Sequence, residues 1–239
     1  RKVMHGAIFA TLFDQPVDIG LEAGALGIEF ARELEVVHDL LVEHFARDQQ
    51  GDARWVGRHQ THGDAAFQVV DLHALGLAVR IARAATGKSG IAFCGYHGWH
   101  DWYLAANLTS DESLTEHLLP GLSPLGVPKG LQGTALPFRY NKIEELKAIF
   151  DKYPGEVAAV VMEPLRNEMP EPGFLQEVKA LAKAAGAVLV FDEVSAGFRL
   201  NTGGSHLLLG VEPDVAVFAK AMSNGYPMAA IIGRGEVMD

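Results

Sequence analysis

From residue 89 onward, hydrophobic positions form short, nearly continuous runs that alternate with stretches of helical spacing. Five runs stand out: residues 89–94, 156–162, 187–191, 214–218 and 228–232. Continuous apolar runs of this length are typical of strands that are buried on both faces. Because helices separate these runs, the pattern predicts βαβ units and therefore an α/β fold built on a parallel sheet.

The polar and apolar spacing also predicts four helices, over residues 33–45, 72–86, 141–153 and 173–185. Apolar residues recur along one face in each of the first two. Asn141 begins the third, which Pro154 and Gly155 end, and Gly186 ends the fourth in the position where helices commonly place a glycine.

Residues 46–71 show neither a strand nor a helix period, and we leave them unassigned. Because no linker or repeat divides the rest, we expect an N-terminal appendage with one helix over residues 1–45 and one large domain over residues 46–239. The chain does not begin with methionine, and it stops just after a new helix start. We interpret it as a fragment of a longer protein.

Composition and charge narrow the function classes. The 239 residues are 49% hydrophobic and carry a formal net charge of −10, which disfavours a nucleic acid or an anionic membrane as a partner. The single cysteine, Cys94, excludes an intrachain disulfide and a zinc site built from several cysteines. No apolar run reaches the roughly 18 residues of a membrane span, so we expect a soluble protein, and the single cysteine favours the reducing cytoplasm.

Candidate chemistry follows the apolar runs. In open α/β sheets ligands bind outside the carboxyl ends of the strands, where residues 95–101, 163–167 and 192–193 and Lys220 are expected to meet. A lysine, a carboxylate, an aromatic ring and an amide are the groups that hold pyridoxal phosphate. Asp192 suits the protonated ring nitrogen, Tyr96 the ring face and Asn167 the ring hydroxyl.

These stretches resemble the class-III aminotransferases of the fold-type-I pyridoxal phosphate superfamily. The similarity is carried by GYHGWHD at 95–101, MEPLRNE at 162–168, FDEVSAGFR at 191–199 and FAKAMSNGYP at 218–227, and it covers roughly residues 72–239. The RNE and SNGYP segments favour the branch that resembles glutamate-1-semialdehyde 2,1-aminomutase. The resemblance implies a three-layer fold, with a mostly parallel sheet and helices on both faces, and a fragment that lacks the C-terminal small domain.

The resemblance also implies roles for individual residues. Lys220 corresponds to the catalytic Schiff-base lysine and Asp192 to the partner of the pyridine nitrogen. The other cofactor-binding residues are Tyr96 as the stacking ring, His97 beside it, Val194 on the opposite ring face, Asn167 near the ring oxygen, and Glu163. The implied protein is a homodimer that uses a small-molecule amino donor and a carbonyl acceptor.

One departure from the family concerns the cofactor phosphate. The family places glycine, serine or threonine at the start of the helix predicted over residues 72–86, whereas this chain has Asp71, whose charge would repel a phosphate. A similar turn, THGDAA at residues 61–66, lies upstream. The sequence leaves open a rearranged loop, an altered reading frame over residues 46–71 and a lost affinity for the cofactor.

Alternatives remain beside the leading interpretation. Within the enzymes, the chain could be an ω-amino-acid transaminase; from another class, it could be a non-catalytic, aminotransferase-like module with a degraded phosphate site. His97, His100 and Asp101 form only a weak metal-site pattern, so no metal is predicted. Glu193 is interpreted as structural, and Glu163 either supports the cofactor residues or ends its strand.

Overall fold

The computed structural model describes residues 7–11, 59–109, 122–165, 168–223 and 227–239. Side chains are described throughout these ranges except in residues 7–11 and 59–72 and at Ser223. The predicted helix over residues 33–45 and the candidate Asn167 lie outside the described residues.

The described residues form one seven-stranded sheet with the order β1-β7-β6-β5-β4-β2-β3. Five strands, β3, β2, β4, β5 and β6, run parallel to their neighbours, whereas β7 pairs antiparallel with both β6 and β1. The strands are β1 (Ala7–Thr11), β2 (Gly90–Cys94), β3 (Ala135–Pro137), β4 (Val157–Met162), β5 (Val188–Asp192), β6 (Val215–Phe218) and β7 (Met228–Gly233). All five predicted strands are present, and β1 and β3 were not predicted.

Helices cover both faces of the sheet. The helices are α1 (His59–Thr86), α2 (Asp101–Leu104), α3 (Ile143–Lys152), α4 (Phe174–Ala184), α5 (His206–Leu209) and α6 (Gly235–Met238). Residues of α1 and α2 share one buried cluster with Val190 of β5, whereas residues of α3 and α4 share a second cluster with Leu189 and Phe191. Successive strand residues therefore face opposite layers, which confirms the predicted three-layer α/β fold.

The start predicted for the helix over residues 72–86 is wrong. The structure begins α1 at His59, so residues 59–71, which the sequence left unassigned, are helical. Asp71 consequently lies inside α1, twelve residues after its start, and not at a helix terminus. The dipole argument against a phosphate at Asp71 applies only within the first turn of a helix and does not hold for this position.

Within the part of the chain that the structure describes, no helix is both long and apolar enough to cross a bilayer.

Candidate active site at the carboxyl ends of the parallel strands

The predicted site residues lie along one edge of the sheet. Asp192 is the last residue of β5, and Lys220 begins a 3-10 helix (Lys220–Ser223) two residues after β6. Since β5 and β6 are paired parallel neighbours, both residues leave the sheet at the same edge. Glu163 follows β4 directly, is half-buried and lies at this edge as well.

Asp192 makes hydrogen bonds with His97 and with the backbone of Val194. Its carboxylate is buried, with Oδ2 2.8 Å from Nδ1 of His97 and Oδ1 3.1 Å from the backbone nitrogen of Val194, which donates to it. The second ring nitrogen of His97, Nε2, donates to the carbonyl oxygen of Cys94 at 3.0 Å. His97 follows β2 and Asp192 ends β5, with β4 between them, so this contact bridges the end of β4.

Lys220 has an uncommon backbone conformation for a residue other than glycine. Its φ is 46°, in the left-handed region, which side chains with a Cβ seldom adopt and which functional sites often contain. The half-buried side chain directs Nζ to the hydroxyl of Ser195, at a distance of 3.1 Å. Ser195 belongs to the turn after β5, so Lys220, which follows β6, contacts the loop that follows the neighbouring strand.

Val194 and Tyr96 lie beside this polar pair. Val194 is buried in the cluster on the α1 face, and Tyr96 packs against that cluster with its ring edge-on to Tyr103, at a centroid distance of 5.9 Å. Burial raises the pKa of Tyr96, more than the contact with Trp99 lowers it, and its hydroxyl is therefore uncharged near neutral pH.

The rings of His97 and His100 both stack on the ring of Trp102, at 6.0 Å and 5.8 Å between ring centroids. Burial lowers the pKa of His100 to about 4, and the nearby His97 and His73 act in the same direction. His100 is therefore neutral at pH 7, and its buried Nε2 has no hydrogen-bond partner among the described residues.

Glu193 is fully buried and has partners of its own. Its Oε2 accepts hydrogen bonds from the backbone nitrogen and hydroxyl of Ser205, both at 2.9 Å, and its Oε1 lies 2.8 Å from both the backbone nitrogen and Nδ1 of His206. Burial alone would raise the pKa of Glu193, but these hydrogen bonds outweigh it and lower the pKa. The geometry agrees with the structural role expected for Glu193.

Sequence reasoning did not identify Ser195, Ser205 or His206. The sequence points to Ser195 only because it lies three residues after Asp192, at the end of a predicted strand. Nothing in the sequence points to Ser205 or His206, because their partner Glu193 is distant in sequence. For metals, the described residues contain no group of three or more His, Cys, Asp or Glu side chains arranged to hold an ion.

Comparison with known proteins agrees with the geometry. The sequence model for class-III aminotransferases matches residues 72–239. The 3-aminobutyryl-CoA aminotransferase of Cloacimonas acidaminovorans is 38% identical over 168 residues, which are 68% of this chain and 36% of the relative. The glutamate-1-semialdehyde 2,1-aminomutase of Symbiobacterium thermophilum is 38% identical over 179 residues, which are 72% of this chain and 40% of the relative.

A solved structure described as a transaminase with PLP bound has a TM-score of 0.60 and 25% identity, and the match covers 75% of this chain and 45% of the other. The chain thus spans about two fifths of the length of the curated relatives reported above.

Proposed function

Because the chain belongs to the class-III aminotransferase family, we propose that it takes part in pyridoxal phosphate-dependent amino-group transfer, with Lys220 as the lysine bonded to the cofactor. One observation carries this proposal. Asp192 ends β5 and Lys220 follows the adjacent parallel strand β6 at the same sheet edge, and His97 and Val194 hold the carboxylate of Asp192 in place. An amine and a fixed, buried carboxylate are the two groups that this cofactor needs at opposite ends of its ring.

The residues present fit the cofactor. Pyridoxal phosphate supplies an aldehyde and a ring that withdraws electrons from the carbon that reacts. In this chain Lys220 would bond to the aldehyde carbon, and Asp192 would accept the hydrogen bond of the protonated ring nitrogen. Tyr96 would stack on one ring face and Val194 would contact the other. His97 would act through Asp192, since its ring contacts that carboxylate.

The half-buried Lys220 also suits a proton carrier. When a substrate amine has taken the place of Lys220, the freed amine of Lys220 can take the proton from the substrate Cα. We place Asn167 near the ring oxygen and Glu163 beside the cofactor residues, because both belong to the segment after β4. How the phosphate is held stays a prediction. Residues 61–66 lie in the first turns of α1, and only the N–H groups of its first turn lack helical partners that a phosphate could replace.

The substrates we propose are a small-molecule amino donor and a carbonyl acceptor. A 3-aminobutyryl-CoA aminotransferase and a glutamate-1-semialdehyde aminomutase are both 38% identical to this chain, which supports amino transfer in general. We further propose a homodimer in the cytoplasm. Light scattering tests the assembly, and a monomer mass at every concentration would contradict it.

A spectrum with added pyridoxal phosphate tests the proposal. We expect a visible absorbance band to appear, and borohydride followed by peptide mass spectrometry to find a pyridoxyl group on Lys220. Lys220→Ala should lose both the band and the label. Lys183→Ala is the matched control, because Lys183 is an exposed lysine of α4 and should leave both unchanged.

Two outcomes would overturn the proposal. A label found only on another lysine would contradict the role of Lys220. A spectrum of the mixture equal to the sum of the separate spectra of the protein and of millimolar pyridoxal phosphate would favour the non-catalytic, aminotransferase-like module.

A further inference from the structure

The turn that follows β5 connects the two ends of the candidate site. Asp192 begins the turn and accepts the backbone N–H of Val194, two residues later, at 3.1 Å. The nitrogen of Glu193 donates to Val217 of β6 at 2.9 Å, and the nitrogen of Gly197 donates to the carbonyl oxygen of Glu193 at 2.8 Å. Ser195 therefore lies in a turn that is hydrogen-bonded to itself and to the neighbouring strand.

The space around this turn is tight. A Cβ on Gly197 would lie 2.7 Å from the carbonyl oxygen of Glu193 and 2.7 Å from a ring carbon of Phe218. Since real Cβ atoms do not approach other atoms so closely, the turn has little room to shift. The backbone that places Asp192 consequently also places the Cβ of the exposed Ser195, within reach of Lys220.

We propose that Ser195 is a positioning residue for Lys220, which rests on the proposed function of that lysine. The Ser195 hydroxyl accepts a hydrogen bond from Nζ of Lys220 at 3.1 Å. A lysine side chain has four rotatable carbons and loses much conformational entropy when its amine is held in one place. A fixed acceptor reduces the number of positions the amine samples before it meets an aldehyde.

The arrangement also links the amine to the carboxylate. Asp192 and Ser195 are three residues apart in one hydrogen-bonded turn, so the local backbone keeps the Ser195 contact of Lys220 close to the carboxylate proposed for the ring nitrogen. Ser195 does not need to touch the cofactor for this role. Its hydroxyl acts through the lysine.

The first experiment measures the rate at which Lys220 captures pyridoxal phosphate, followed by absorbance and by borohydride trapping at Lys220. Ser195→Ala should slow capture about threefold to tenfold, which corresponds to about 0.6–1.4 kcal/mol and lies within the range for a single hydrogen bond. Ser195→Thr keeps a hydroxyl and should restore the rate to within about twofold of the parent. Ser89→Ala is the matched control, an exposed serine that precedes β2 at the opposite edge of the sheet.

The second experiment needs no cofactor. Acetic anhydride labels lysines, and mass spectrometry gives the labelling of Lys220 relative to the exposed Lys183. In the cofactor-free protein, Ser195→Ala should raise this ratio at least twofold, because the amine is less restrained, and Ser195→Thr should return it to the parent value. A purely structural effect of the substitution would instead lower the melting temperature.

The two experiments separate this proposal from the proposed function. If the parent captures no pyridoxal phosphate while Ser195→Ala still changes the acetylation ratio, the proposed function fails and the contact stands. If capture and acetylation in Ser195→Ala both equal those of the parent, Ser195 does not position Lys220. Equal defects in Ser195→Thr and Ser195→Ala would also overturn the proposal, because the hydroxyl would then not be the active feature.

Discussion

Asp192 and Glu193 are consecutive buried carboxylates with separate sets of partners. Asp192 contacts His97 and the backbone nitrogen of Val194, whereas Glu193 is held by Ser205 and His206. Alternation along the strand end explains the division, because neighbouring side chains leave a strand on opposite sides. One carboxylate is therefore available to the candidate site, and the other fixes the loop that carries residues 204–206.

The protons of the Asp192 pair can be counted from its partners. The carbonyl oxygen of Cys94 only accepts hydrogen bonds, so Nε2 of His97 carries a proton. One further proton lies between Nδ1 of His97 and Oδ2 of Asp192, 2.8 Å apart. The pair has zero net charge whichever of the two atoms carries that proton. Burying a neutral pair costs less free energy than burying a single charge.

Asp192→Asn should separate cofactor binding from catalysis. The amide oxygen can still accept from Val194, so pyridoxal phosphate should bind and produce its visible band. The amide carries no charge to stabilise a protonated ring nitrogen, and we expect amino transfer to fall about 100-fold to 1000-fold. A single-turnover assay with L-glutamate, β-alanine and 3-aminobutyrate measures this loss. Asp151→Asn, an exposed position on α3, is the control, and turnover at the parent rate in Asp192→Asn would exclude the electronic role.

His97→Phe should destabilise the fold, because it leaves the buried carboxylate of Asp192 without its ring partner. We expect the free energy of unfolding in urea to fall by about 3 kcal/mol, the scale for breaking a buried pair. Adding Asp192→Asn removes the stranded charge, so the double variant should recover part of this loss. A double variant whose loss of stability equals the sum of the losses in the two single variants would show that the pair is not coupled.

The strands and the residues at their ends could be predicted from the sequence, whereas the side-chain contacts between those residues could not. Continuous apolar runs located five of the seven strands that the structure describes, β2, β4, β5, β6 and β7, because burial on both faces leaves a strong hydrophobic signal. The same runs placed Asp192 and Lys220 at strand ends. The contact of Lys220 with Ser195 joins residues 25 positions apart, and no local pattern encodes such a pairing.

The start of α1 shows where periodicity fails. Residues 59–71 include many polar and charged residues and no regular apolar stripe, so no helical period can be recognised before residue 72. The structure nevertheless continues the helix back to His59. Strand β3 was missed for another reason: it has three residues, one of them Pro137, too few to show alternation.

Glu193→Gln should lower stability although it changes only one atom. Both carboxylate oxygens accept from N–H or O–H groups of Ser205 and His206, and the amide NH₂ of glutamine would face one of these donors. We expect a loss of about 2 kcal/mol in the free energy of unfolding, measured by urea denaturation. Glu212→Gln changes the same atoms at an exposed position and should have little effect. Equal stability of the two variants would contradict a network role for Glu193.

His100 should make stability depend on pH in a defined window. Burial lowers its pKa in the folded protein to about 4 from an ordinary value of 6.5. Between these values the unfolded chain binds a proton that the folded protein does not, so acidification from pH 6.5 to pH 4 favours unfolding, by up to about 1.4 kcal/mol per pH unit. Glu193 contributes in a different range, because its lowered pKa preserves stability above its ordinary value of 4.5 and loses it only as the pH falls further.

His100→Phe isolates this contribution, because phenylalanine keeps an aromatic ring against Trp102 and removes the titrating group. We expect the variant to lose less stability than the parent between pH 6.5 and pH 4, measured by urea denaturation at several pH values. At pH 7 the two proteins should differ little, since His100 is neutral there and its Nε2 has no partner among the described residues. His73→Gln removes only one of the smaller causes of the lowered pKa of His100, so it should flatten the dependence less than His100→Phe does. Parallel curves for the parent and His100→Phe across this window would show that His100 does not resist protonation, and the uncharged ring beside Trp102 would then need another explanation.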